Sequence, residues 1–522
     1  MLYNRVSYCA TLIACFAIIT EAADSYEQIV SQCQSLNERS NSIRDSFIFA
    51  YNGYKKYAYG HDEILPISNK SYDSRNGWGA TIIDSLDTLL IMNLEEDYQR
   101  ALEFVSKVDF SKSSVVSKGF ETNIRYLGGL LAANDLRPNP ILVQKAIEVA
   151  DKTLLPLFTD TTSMNVKLKV PYGYMDLIRN QPQIVDSILL AEFGSYSMEF
   201  TRLSQVTGDP KYEKLTNDLT DVIIKNPTSM PGLYPAFWTV NPFAPINSSL
   251  ITVAGGTDSF YEYLIKNYLL QNKENGDLLN TWQKSVESIE KYLLSPTVED
   301  PQIQFVASVR NSTIYAMSNE LICFWPGNIL LGISQISDQV KRNQYRNFAD
   351  IFFKSCIEIW QKTNTGIAPE SWTWHPRENT IERTLNNLLG GNFKFYTKQE
   401  KQKRAVGRTF EITSAFYDLR PETIESIFYY YRLTGDKQYQ DLAWELYLAI
   451  DKYAKTGSGY ARVDHVDIVP AKLQDFQESF FFAETLKYLY LIFADKNCIS
   501  LNDYIFNTEA HPFKLPSPIQ FQ

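Results

Sequence analysis

The stretch Glu422-Thr423-Ile424-Glu425-Ser426-Ile427-Phe428-Tyr429-Tyr430-Tyr431-Arg432-Leu433-Thr434-Gly435-Asp436-Lys437-Gln438-Tyr439 decides the reading of the fold. From Glu422 through Ile427, Tyr430 and Tyr431 the apolar residues keep helical spacing. Gly435 then ends the helix, and a short turn with a Tyr starts an antiparallel partner. Related turns occur at Glu96-Asp97-Tyr98, Gly208-Asp209-Pro210-Lys211-Tyr212 and Asn343-Gln344-Tyr345, each before an amphipathic stretch. Extended along the chain, this periodicity predicts about 14 helices in about seven hairpins. Their starts fall near Tyr26, Ala80, Glu95, Gly119, Ile141, Asp186, Lys211, Thr257, Leu278, Ser318, Lys341, Arg420, Lys437 and Glu478. The even members open with a carboxylate set in apolar sequence, as at Asp87, Glu121, Glu192, Asp258, Glu422 and Glu484. A closed ring of hairpins gathers those helix starts at one end, around one acidic pocket. An open solenoid would scatter them along a surface. A β-hairpin is predicted around Gly459–Ile468, with Asp464 and His465 at its turn.

The 522 residues carry a net charge of −10, which argues against nucleic acid as a partner. Length alone suggests about three domains, but no linker-like or low-complexity run divides the chain, so one large domain is also allowed. Arg5, the apolar run Val6–Thr20 and the small residues Ala22 and Ala23 read as a signal peptide over residues 1–22, or as a short signal anchor. The remaining residues 23–522 form the single expected domain. Beyond Cys9 and Cys15 in that leader, four cysteines remain: Cys33, Cys323, Cys356 and Cys498. An even number in a secretory chain suggests two disulfides, with three pairings open. Sequons at Asn69, Asn247 and Asn311 suit glycosylation in the same compartment.

Glu121 stands four residues before Arg125, and Glu422 three before Glu425, so each pair shares a helix face. Such pairs are common helix stabilisers, but they recur here at the same helix end. Acids beside arginines can keep one carboxyl protonated and another ionised, as acid/base catalysis requires. Nucleophilic hydrolysis has little support: no Gly-x-Ser-x-Gly elbow occurs, and there are four His. His-Glu-x-x-His is absent and the cysteines lack zinc spacing. A hard, oxygen-seeking cation such as Ca²⁺ is compatible with the acids and carbonyls.

Six stretches bring a family into view. They are Gly77–Leu89, Phe120–Leu131, Asp258–Leu264, Leu419–Ser426, Glu484–Leu489 and Asn507-Thr508-Glu509-Ala510-His511-Pro512. In this order they resemble glycoside hydrolase family 47, the class I α-1,2-mannosidases, from about Arg44 to Pro512. The resemblance implies an all-α (αα)7 barrel of helical hairpins, with a small β-hairpin and a C-terminal segment reaching the barrel interior. It implies an inverting, Ca²⁺-dependent exo-α-1,2-mannosidase acting on high-mannose N-linked oligosaccharides in the secretory pathway (the endoplasmic reticulum or Golgi lumen, or outside the cell). An inverting site sets its acid and base carboxyls about 6.5–9.5 Å apart. By motif match Glu422 is the base, and Glu121 or Asp258 the acid, with Glu121 leading. Thr508 matches the threonine that binds Ca²⁺ through its carbonyl and hydroxyl oxygens. Arg125, Arg420, Glu425, Phe480, Glu484 and Glu509 match positions lining the sugar pocket. Cys323 and Cys356 match the family's disulfide, which leaves Cys33 and Cys498 to pair. A monomer with no obligate protein partner is expected.

Two departures from the family pattern stand out. Three residues before Cys323, where the family commonly has His, this chain has Glu320. Two residues before Asp258, where enzymes of the endoplasmic-reticulum type carry Arg and remove one particular mannose, it has Gly256. The second departure predicts removal of several α-1,2-mannoses. The competing readings are a relative of the degradation-type mannosidase-like proteins, which act on misfolded glycoproteins, and a silent mannose-binding lectin. The paired cysteines favour a processing enzyme over the first, and the retained acids count against the second.

Overall fold

A computed structural model of the chain describes residues 26–34, 37–113, 115–377, 381–396 and 407–521. The expected leader, with Cys9 and Cys15, lies outside the described residues. Seven helical hairpins form two concentric rings among them. The inner ring runs through Leu86–Ile91, Gly128–Leu136, Ser197–Thr207, Asp258–Leu270, Trp325–Ile333, Glu422–Thr434 and Leu486–Phe493. Each of these packs on the next, and a turn at Phe481–Thr485 closes the ring back onto Leu86–Ile91. The outer ring comprises Glu38–Tyr57, Glu95–Lys107, Pro140–Val149, Lys211–Lys225, Gly276–Tyr292, Gln339–Gln361 and Gln438–Tyr453. This is the expected (αα)7 barrel.

Residue pattern explains which helix lies in which ring. Every residue of Leu486–Phe493 is buried, as suits a helix covered on all sides. Glu95–Lys107 buries only Tyr98, Ala101 and Val105, a single stripe with charged residues elsewhere. The repeated turn has a mechanism. Gly208 and Gly435 close their inner helices in the left-handed conformation, at φ 72° and 74°. The next residue braces the turn into the outer helix, with Asp209 accepting from the Lys211 amide and Asp436 from the Gln438 amide, both at 3.0 Å. Tyr439 then packs on Tyr430, ring to ring at 5.0 Å.

The first expected helix divides. A helical segment at residues 26–33 precedes Glu38–Tyr57, which starts at a capping box on Asn37. Glu38–Tyr57 is the outer partner of the last inner helix, so the first and last helices of the two rings meet. Cys33–Cys498 crosslinks that junction, and Tyr490 donates to the Cys33 carbonyl at 2.8 Å. The second disulfide joins Cys323 to Cys356.

Inner helices lead to outer ones through short turns, so the long connections collect at the opposite end, where the inner helices begin. The expected hairpin lies there with a displaced second strand. Arg462–Val463 pairs with Leu473–Gln474, and the Asp464 amide still donates to the Lys472 carbonyl at 2.8 Å, so the turn follows Asp464. Other short ladders were not expected from the sequence, the longest being Phe158–Ser163 with Val166–Pro171. Most of the remaining strands have two or three residues, too short to display a period of two. The three sequon asparagines are all exposed.

The C-terminal segment does enter the barrel. Tyr504–Phe506 and Pro512–Lys514 pair, and the loop between them presses on the inner helix at Gly128 and Gly129. A Cβ on Gly128 would stand 2.7 Å from the Asn507 amide nitrogen, and one on Gly129 would stand 2.6 Å from the Ile83 carbonyl oxygen. No side chain fits at either position.

Candidate active site

The loop Asn507–His511 is held by buried polar groups. Asn507 Oδ1 accepts from the Glu509 and His511 amides, at 2.9 and 2.8 Å. Its Nδ2 donates to Glu199 at 2.8 Å and to the Ile124 carbonyl at 3.0 Å. His511 lies 2.9 Å from Asp87 and 3.4 Å from Asp84. Lys487 donates to Asp87 at 2.8 Å and to the Ala510 carbonyl at 2.7 Å. Asp87, one of the acids that open inner helices, is thus a fully buried ion-pair partner.

Above this floor the acids converge. Glu121, Asp258 and Glu422 are partly accessible, whereas Glu425, Glu484 and Glu509 are buried. Glu121 accepts from Arg125 Nε at 2.7 Å, with Lys118 and Arg75 at 3.6 and 3.8 Å. Burial alone would raise its carboxyl, but Arg125, Arg75 and Lys118 outweigh burial and hold it below the usual carboxylate range. Asp258 is the opposite case. Burial lifts it to about 7, against a hydrogen bond from the Ser259 amide and with help from the charges of Glu262 and Glu422. Two carboxyls in one pocket are therefore pushed apart, the arrangement that separates acid and base roles.

Glu422 sits just inside its helix after Pro421. Leu419, three residues earlier and fully buried, holds φ at 61°, a conformation costing about 1–2 kcal/mol for a residue with a Cβ. Its carbonyl accepts from the Thr485 hydroxyl at 2.6 Å, which pins the turn that presents Arg420 and Glu422. Arg420 grips Glu370 through two hydrogen bonds of 2.6 Å and reaches Glu422 at 3.8 Å. Burial and the neighbouring Glu320 raise the Glu422 carboxyl, and Arg420 only partly offsets them. Burial likewise lifts Glu425 to about 8, although Lys266 donates to it at 3.2 Å. Glu484 is raised by burial and by the charges of Glu509, Glu422 and Glu425.

Two π-helical turns contribute to the pocket: Thr122–Leu127 carries Arg125, and Phe481–Thr485 carries Glu484. Arg125 also pairs with Glu509 and Asp84, and its guanidinium lies 5.5 Å from the centre of the Phe480 ring. Phe480 is buried, and Arg125 occupies one of its faces.

The profile of glycosyl hydrolase family 47 matches residues 46–515. The chain belongs to this family. A mannosyl-oligosaccharide alpha-1,2-mannosidase 1B of Aspergillus oryzae is 34% identical over 515 residues, with 94% of each chain covered. The endoplasmic reticulum mannosyl-oligosaccharide 1,2-alpha-mannosidase of Mus musculus is 33% identical, covering 92% of this chain and 69% of its own. Among solved structures, an alpha-1,2-mannosidase from Trichoderma reesei superposes with a TM-score of 0.82 at 32% identity, covering 91% of this chain and 99% of its own.

In this family 47 chain the structure brings the anticipated site residues to one end of the barrel. It also adds residues that sequence reading missed. Lys118 bridges Glu121 and Glu192 at 3.6 and 3.0 Å, so Glu192 has a place at the pocket. Lys266 lies between Glu262 and Glu425, and Arg75 links Glu121, Glu478 and Glu63. A lysine in an apolar helix such as Asp258–Leu270 is the signal that could have found Lys266, because a fully buried lysine requires a carboxylate partner.

No group of three or more His, Cys, Asp or Glu side chains among the described residues forms a direct metal cluster. Thr508 offers two hard oxygen donors, its carbonyl and its hydroxyl. Its amide donates to the Tyr263 hydroxyl at 3.3 Å, while its carbonyl and hydroxyl oxygens take no hydrogen bond from the described residues. The adjoining Glu484 and Glu509 are buried carboxyls with Arg125 as their cationic neighbour, surroundings that favour a further positive charge.

Proposed function

We propose that this protein is an inverting exo-α-1,2-mannosidase that trims several mannoses from high-mannose N-linked oligosaccharides in the lumen of the secretory pathway. The observation that carries the mechanism is the opposed electrostatics of the carboxyls at the inner-helix starts. Asp258 retains its proton near neutrality and gives it to the glycosidic oxygen. Glu121, kept ionised by three cations, stabilises positive charge developing on the sugar and orients the leaving group. Glu422 in its ionised form takes a proton from the water that attacks the anomeric carbon on the opposite face. This assignment gives the acid role to Asp258 in preference to Glu121, because a carboxyl held by Arg125, Arg75 and Lys118 has no proton to donate at working pH.

Thr508 would hold Ca²⁺, which supplies a fixed positive charge and oxygen coordination for sugar hydroxyls. Glu425, Glu484 and Glu509 orient the surrounding waters, and Arg125 and Arg420 position the sugar. Gly256 lies at φ 98° beside Leu189, a conformation that a longer side chain adopts only with strain. Leaving that position bare gives more than one glycan branch access to the pocket.

Hydrolysis of α-1,2-mannobiose with and without EDTA tests the reading. An active enzyme, lost on chelation and restored by Ca²⁺, and reduced about 10²–10⁴-fold by Glu422→Gln, supports it. Sugar binding without turnover would favour a lectin.

A further inference from the structure

Glu320 faces the proposed base. It opens the turn Glu320–Phe324 and is 1% exposed. Its Oε1 accepts from the hydroxyl of Thr423, the residue next to Glu422, at 2.7 Å, and the Glu320 charge acts directly on the Glu422 carboxyl. Glu320 Oε2 and Glu422 Oε2 are both buried, and neither has a donor among the described residues. The surroundings leave these carboxyls little room to part. The Gly327 amide donates to the Ser426 hydroxyl at 3.0 Å, and that hydroxyl donates to the Cys323 carbonyl. A Cβ on Gly327 would stand 2.8 Å from the Tyr429 ring, so the two helices are in close contact. The Glu320 amide donates to the Glu370 carbonyl at 3.0 Å, and Cys323–Cys356 ties the turn to the outer ring.

Charge counting points the same way. Glu320, Glu370 and Glu422 surround one guanidinium, that of Arg420. Glu370 takes both short hydrogen bonds from it, leaving Glu422 at 3.8 Å. Two neighbouring carboxylates that each hold one buried oxygen without a donor, with their shared cation already committed, are relieved by one proton between them.

We propose that Glu320 is a positioning residue that shares a proton with Glu422, so the base of this enzyme titrates as one member of a carboxyl pair. This rests on the reading of Glu422 as base. Both carboxyls are raised by burial, and Glu422 is raised further by Glu320. The other charged or titratable groups facing the pair are Asp258, Glu425, Glu484 and Tyr417, none of them a cation. Removing the Glu320 charge therefore makes Glu422 easier to ionise.

The test is the pH dependence of kcat/KM for α-1,2-mannobiose in the Ca²⁺-loaded enzyme and in Glu320→Gln and Glu320→His. Both variants replace the carboxyl with a group that can donate to Glu422. The acidic limb, which reports ionisation of the base, is expected to move to lower pH by about one unit, the coupling at which two sites cease to titrate independently. A purely structural role would lower kcat/KM at every pH and leave the limb in place, which would overturn the inference. If one variant does not fold, the other gives the same reading. Glu422→Gln separates the two levels: if it stays active, the assignment of the base fails. If it is inactive while the limb is unmoved in the Glu320 variants, only the shared proton fails.

Discussion

Asp258→Asn should make the protein more stable while removing its activity, and the size of the gain should depend on pH. The Asp258 carboxyl moves from an unfolded value near 3.8 to about 7 in the folded chain, chiefly through burial. The folded state therefore binds more protons than the unfolded state between those values, and stability falls as pH rises through that window. At about 1.4 kcal/mol per unit, the full penalty above pH 7 is about 4 kcal/mol, an upper bound for a partly accessible group. At pH 5 only the part above 3.8 has accrued, about 1.6 kcal/mol. Asparagine has no charge to desolvate and escapes both. Thermal unfolding of wild type and Asp258→Asn at pH 5 and pH 8, at one Ca²⁺ concentration, should show a stability gap that widens with pH. In parallel, the wild-type kcat/KM should fall on the alkaline side near pH 7. Asp258→Asn should lose that limb together with about 10²–10⁴-fold in rate. A gap equal at both pH values, or an alkaline limb that survives in Asp258→Asn and vanishes in Glu121→Gln, would refute the reasoning and return the acid role to Glu121.

Lys487→Met should destabilise the fold by about 3–5 kcal/mol, because it leaves buried Asp87 without its lysine and frees the Ala510 carbonyl; denaturant unfolding reads the loss. Gly256→Arg should cost about 1–2 kcal/mol of backbone strain at φ 98°. It should also shorten the product series from a nine-mannose glycan, as read by mass spectrometry. Chelation should lower the unfolding temperature as well as the activity, since an ion bound only by the folded chain stabilises it by mass action. Thr508→Ala should abolish that Ca²⁺-dependent shift.

What could be read in the sequence follows from the range of the interactions involved. The barrel was legible because its determinants are local. Gly208-Asp209 and Gly435-Asp436 end one helix and brace the turn into the next within four residues, and Tyr98, Ala101 and Val105 mark a buried stripe by spacing alone. The short ladders were not legible, since a two-residue strand such as Arg462–Val463 exists only because Leu473–Gln474 lies beside it. The site divides in the same way. Glu121 with Arg125 and Glu422 with Glu425 are neighbours along a helix and announce themselves. Lys487 with Asp87, Arg420 with Glu370, and Glu320 with Glu422 are separated by tens to hundreds of residues and meet only when the ring closes.

That division has a chemical consequence. A helix-local pair such as Glu121–Arg125 forms as its helix forms, and it fixes a charge. The pairs that need the closed ring set how strongly each carboxyl holds its proton, because burial is the leading cause at Asp258, Glu422 and Glu484 alike. The catalytic identity of an acid here is thus a property of the assembled barrel. Two carboxyls at equivalent helix starts, Glu121 and Asp258, diverge because cations surround one and carboxyls surround the other. Motif position alone puts Glu121 ahead of Asp258, whereas the surrounding charge separates them into one group that stays ionised and one that carries the proton.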